Sequence, residues 1–165
     1  MDLEKILAAH KAWLKNENGG VKADLSGANL KGADLSGANL SGAVLKGIIA
    51  ENSTKFFFPC CPVEGSFIAY KKAHNKIVVL KIPPDAKRSS ATTYKCRCDK
   101  AKVLRIENLD GSIAAHIKAV ASDYDNKFFY TVGEIVKVDD FDNDRWHECS
   151  NGIHFFVSRQ MAVNY

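Results

Sequence analysis

Apolar residues in the first fifteen positions recur at helical spacing: Leu3, Ile6, Leu7, His10, Trp13 and Leu14 share one face. The pattern predicts an amphipathic helix over residues 2–15, with Asp2 as its cap and Asn18-Gly19-Gly20 as its stop. His10 is expected to serve packing on that face. At residue 23 the period changes to five. Ala23-Asp24-Leu25-Ser26-Gly27 is followed by Ala28-Asn29-Leu30-Lys31-Gly32, Ala33-Asp34-Leu35-Ser36-Gly37, Ala38-Asn39-Leu40-Ser41-Gly42 and Ala43-Val44-Leu45-Lys46-Gly47. Leucines five apart step about 140° around a helix and make no stripe. On a flat strand they point to alternate faces. A coil with one pentad per side buries all five, with the small alanine sharing the interior and glycine permitting the corner. After Gly47, Ile48-Ile49-Ala50-Glu51-Asn52 keeps the pattern only in part.

Barely more than one such coil has few neighbours to bond with. It needs a cover at each end, as solenoids do. The N-terminal helix is one cover. The other must come from the rest of the chain or from another subunit, because an open β edge invites pairing. A homo-oligomer is therefore expected.

Residues 53–64 form an apolar junction around Phe56-Phe57-Phe58-Pro59-Cys60-Cys61-Pro62, where the prolines oppose regular pairing. Strand-like runs follow at Ser66–Lys71, Lys76–Ile82, Lys102–Glu107, Ile113–Ala121, Phe128–Val132, Ile135–Val138 and Ile153–Val157. Asp110-Gly111 is a hairpin signal, and Ser158 is placed to start a closing helix through Ala162. The chain divides into a capping helix with repeats (1–52), a linker (53–64) and a β-rich α+β domain with a mostly antiparallel sheet (65–165).

The pentads resemble the pentapeptide-repeat family. The resemblance implies a right-handed quadrilateral β-helix with four pentads per coil. Long members of that family mimic DNA. Here one coil is only about 5 Å thick, and its outer charges Asp24, Lys31, Asp34 and Lys46 cancel, so DNA mimicry is not expected. Two later stretches, Ile82 to Thr92 and Arg145 to Phe156, resemble a domain found behind pentapeptide repeats in bacteriophage and some bacterial proteins, with no assigned function. That resemblance implies a phage accessory or counter-defence protein acting in the host cytoplasm.

Composition, 46% apolar and 25% charged, is that of an ordinary folded protein. No apolar run reaches membrane-spanning length. The acidic opening Met1-Asp2-Leu3-Glu4-Lys5 lacks the basic start of a signal peptide, so a cytoplasmic location is expected. The five cysteines are expected as reduced thiols. The net charge of +4 is unevenly spread. Residues 71–105 hold eleven Lys and Arg against two acids, and residues 106–148 hold four against ten. Such segregation marks a binding face or two faces that meet.

Candidate chemistry sits in the basic part. Lys87, Arg88, Ser89, Ser90, Thr92, Lys95 and Arg97 mix cations with hydroxyls, the combination that holds phosphate. No Gly-rich phosphate loop accompanies them. The leading expectation is a non-enzymatic binding protein for a phosphate-bearing small molecule, such as a nucleotide signal, or for a host protein. Nucleic acid is not expected, because no reading module is visible. One alternative is an enzyme with Cys149 as nucleophile and His154 as base across Ser150-Asn151-Gly152. Another is a structural assembly module. Neither a cofactor nor a metal site is expected: Cys96-x-Cys98 has the wrong spacing for zinc, and Asp139 to Asp144 lacks the glycine and terminal glutamate of a calcium loop.

Overall fold

The computed structural model describes residues 1–165. Helix α1 spans Leu3–Leu14, and the Asp2 carboxylate caps it by accepting the Lys5 N–H at 3.2 Å. His10 is fully buried; its Nδ1 accepts the Ala23 N–H at 3.1 Å and its ring stacks on Trp13. The helix is thereby tied to the first residue of the repeats.

The leucine period does what its geometry requires. Leu25, Leu30, Leu35 and Leu40 form one buried cluster, with Leu45 half-buried beside it. Parallel bridges join Asp24 to Val44, Asn29 to Ile49 and Asp34 to Lys55, so the chain returns alongside itself after twenty or twenty-one residues. These are isolated bridges rather than continuous strands. Two covers lie on the cluster: Leu3, Ile6 and Leu7 of α1, and an aromatic group of Phe56, Phe57 and Trp146. Both belong to the same chain.

The second layer of the coil is incomplete, and the chain repairs it from elsewhere. Gly27 N–H donates to the Lys46 carbonyl at 2.8 Å, and Gly32 N–H to the Ser53 hydroxyl at 2.9 Å. The equivalent Gly37 N–H has no following pentad to meet. It donates to the Thr92 carbonyl at 3.0 Å, and the Thr92 hydroxyl donates to the Ala38 carbonyl. Residues 53–57 of the expected linker pack on the coil through Thr54, Phe56 and Phe57.

The remainder is mixed α+β with antiparallel sheets. Strands β1 (Phe67–Ala73), β2 (Lys76–Ile82), β5 (Lys100–Asn108) and β8 (Ile135–Lys137) form one sheet in the order β1-β2-β5-β8. A second sheet, β3-β4-β9, contains β3 (Arg88–Ser90), β4 (Cys96–Cys98) and β9 (Ile153–Phe155). β6 (Ala119–Ala121) pairs with β7 (Phe129–Thr131), and α2 (Arg159–Asn164) closes the chain. The two larger sheets share a core that includes Val78, Leu80, Ile82, Val103, Ile153 and Phe155. The expected strand Ile113–Ala121 shrinks to its last three residues. No helix is long and apolar enough to cross a membrane.

Candidate functional site

The basic segment expected to bind phosphate is, for the most part, structural. It carries β3 and β4 rather than an open loop, and its cations are spent on backbone carbonyls. The Arg88 guanidinium donates to Pro62, Gly65, Pro83 and Pro84 carbonyls at 2.7–3.2 Å and lies over the Phe67 ring. The Arg97 guanidinium, 2% exposed, donates to Asp142, Asn151 and Asp144 carbonyls at 2.8–3.0 Å and lies over Phe141. Thr92 completes the repeat coil, and the Ser90 hydroxyl accepts the Cys60 N–H at 2.9 Å. Lys87 is exposed and braced through its backbone to Asp99. Ser89 is buried, its hydroxyl lacks a partner, and it borders a shallow groove with Lys87 and Arg145. Of the seven residues, only Lys95 lines the cavity described next.

Arg97 also brings part of the acidic stretch against the basic one. The acidic run gives it main-chain carbonyls, and Arg145 anchors the same run by donating to Phe57, Ser90 and Ala91 carbonyls. Residues 139–152 are thereby strapped onto the β3-β4-β9 sheet. Basic and acidic stretches meet inside the fold.

Beyond that strap lies a cavity of about 360 Å³ between β1, β9, the β6–β7 hairpin and the C-terminal Tyr165. Lys71, Lys95, Cys149 and His154 line it, with Tyr124, Tyr130 and Tyr165 and, among its acidic residues, Asp125 and Asp140. Lys71 is 7% exposed and Lys95 9% exposed. Strand alternation puts Lys71 on the inward series of β1 between Ala69 and Ala73, where an apolar residue ordinarily stands. Its ammonium makes neither a hydrogen bond nor an ion pair and lies 5.7 Å from the Tyr130 ring centre. Burial lowers its pKa, against a smaller raising effect of Asp123. Lys95 is better provided for. Its ammonium donates to the Cys149 sulfur at 3.1 Å and stands 3.7 Å from Glu148. Burial acts to lower its pKa, but the bond and charge of Cys149, with Tyr165 and Glu148, prevail and raise it.

Cys149 and His154, the sequence's catalytic pair, do line one cavity, yet the thiol's bonded neighbour is Lys95. Burial, then the charges of Lys71, Lys95 and Arg97, hold His154 down at about 4. Its Nε2 is buried without a partner. No group of three or more His, Cys, Asp or Glu side chains is arranged to hold a metal ion. Lys71 escaped the sequence reading because it was counted among many cations. The available signal is its position: a lysine at the end of the strand-like run Ser66–Lys71, with Ala69 and Ala73 two residues away on either side.

These features define a class, a mixed α+β protein in which a pentapeptide-repeat segment is fastened to a domain with a cavity that two buried lysines enter. A model of pentapeptide repeats (8 copies) matches residues 21–49. The model described as "Family of unknown function (DUF5758)" matches residues 57–162, and the chain belongs to that family. A search of curated proteins and a search of solved structures each give no match.

Proposed function

We propose that this protein binds a phosphate-bearing small molecule in the Lys71–Lys95 cavity. One observation carries the reading: two lysines, each over nine-tenths buried, line the same half-open cavity, and one of them has no acceptor. A buried ammonium without a partner costs several kcal/mol. An anion in the cavity offsets that cost, and the mixed lining of lysines and hydroxyl-bearing tyrosines suits phosphate. Tyr124 and Tyr165 are exposed at its edge and offer ring faces to a nucleobase. A nucleotide signal, withdrawn from its receptor by binding, is the biological form of this reading. We further read the repeats as slightly more than one turn of a right-handed quadrilateral coil, serving as a scaffold for the domain.

Calorimetric titration with inorganic phosphate and adenosine monophosphate tests the site. Lys71→Gln and Lys95→Gln are each expected to weaken binding at least tenfold, and Lys87→Gln to leave it unchanged. Equal affinity in all three variants, or no heat from either probe at millimolar concentration, removes the proposal.

A second reading, a thiol-dependent enzyme, draws on the 3.1 Å contact between Lys95 Nζ and Cys149 Sγ, since a neighbouring cation favours the thiolate. Iodoacetamide at neutral pH should then modify Cys149 at a rate that falls several-fold in Lys95→Gln. An unchanged rate counts against it.

A further inference from the structure

We infer that the Lys71 amine is a nucleophile that forms an imine with a small carbonyl compound carrying an anionic group, such as a 2-oxo acid. The geometry has four parts. Lys71 occupies an inward position of β1, flanked on its own face by Ala69 and Ala73, which bring no side-chain acceptor near it. Val78, directly across on β2, brings none either. The amine ends at a cavity large enough for a small ligand. Lys95, a second cation held in place by Cys149 and Glu148, lines the same cavity.

A lysine becomes nucleophilic when desolvation or a neighbouring cation disfavours its ammonium form. For Lys71 burial supplies the first condition and prevails over the raising effect of Asp123, with Lys95 adding a smaller lowering effect. Other lysines have the opposite circumstances. Lys72, its chain neighbour, donates to the Val163 carbonyl at 3.0 Å, and Lys100 is paired with Asp85 at 2.6 Å. Lys95, whose pKa is raised rather than lowered and which stands 3.7 Å from Glu148, stays an ammonium, which makes it the anchor for a carboxylate rather than the attacking group.

The step balances without an oxidant or reductant. The Nζ lone pair forms a bond to the carbonyl carbon while the C=O π pair moves to oxygen. That oxygen gains a proton and nitrogen loses one, giving a carbinolamine. A second proton lets the hydroxyl leave as water, and the C=N bond forms. The product of that step is the protonated imine, and loss of its N–H proton returns the proton spent on the leaving water, so the net change is amine plus carbonyl to imine plus water.

The inference uses the cavity of the proposed function, and its failure is distinguishable from failure of the phosphate reading. The full-length protein is incubated with pyruvate and sodium cyanoborohydride at pH 7, and the modified lysines are located by peptide mass mapping. The expected result is one adduct, on Lys71, formed at least tenfold faster than on any other lysine and slowed by competing phosphate. In Lys71→Arg the fast adduct disappears. The wild-type map is decisive even where that variant does not fold. Adducts spread over exposed lysines with Lys71 unmodified overturn the inference and leave phosphate binding untouched. A fast Lys71 adduct in a protein that binds no phosphate upholds the inference and removes the phosphate reading.

Discussion

Arginine and lysine part company in this molecule according to what their side chains can satisfy. A guanidinium has five donors in a fixed fork and stays charged, so it can be buried against several carbonyls at once. Arg88, Arg97 and Arg145 do this and fasten loops. Composition identified the basic stretch but could not separate these fasteners from Lys71 and Lys95, because the carbonyls involved lie 26 and 54 residues away in the chain for the Arg88 contact with Pro62 and the Arg97 contact with Asn151. His154 gives a pH test at this scale. Its pKa is about 4 in the fold against an ordinary 6.5. Between those values the unfolded chain takes up a proton that the native state refuses, so the unfolded state gains as pH falls. The contribution of neutral His154 to stability is intact above about pH 6.5 and drains away as pH drops toward 4. His154→Gln should flatten this part of the profile of melting temperature against pH, compared between pH 7 and 4.5. An identical slope in the variant assigns the pH dependence to other groups.

At the level of elements, the pentad coil was legible and the second sheet was not. Leucine periodicity fixes which residues share an interior, and four of the five leucines are fully enclosed. The reading missed what the second pentad position does. Asp24, Asn29, Asp34 and Asn39 each accept the N–H two residues on, at 2.9–3.1 Å, and so hold each corner. Each following glycine has positive φ, 66–72° from Gly27 to Gly47. The fifth pentad has Val44 at that position and lacks the side-chain bond. Val44→Asn supplies it and should stabilise the protein by about 0.5–1 kcal/mol, the net worth of one hydrogen bond, as read from urea unfolding. A loss of stability would mean that Val44 packing outweighs the corner bond. The strands β3 and β4 were read as loop because three-residue strands carry too few positions for a period to show. Their Ser, Arg and Cys residues are buried by the strap that crosses them, a contact no local pattern announces.

For the whole molecule, the decisive join is a single threonine. The coil runs out of pentads after its third second-layer side, and Thr92 of the C-terminal domain takes the vacant place through its carbonyl and hydroxyl. Thr92→Val keeps the carbonyl and removes the hydroxyl. It should cost about 1–2 kcal/mol, the penalty for a deprived buried acceptor, while heat unfolding stays a single transition by circular dichroism and by Trp fluorescence. Two separated transitions would show that the halves melt independently. Because one segment supplies a rung to the other, neither half owns a complete hydrogen-bond inventory. During synthesis residues 1–55 lack the partner for the Gly37 N–H and the Ala38 carbonyl until residue 92 has left the ribosome.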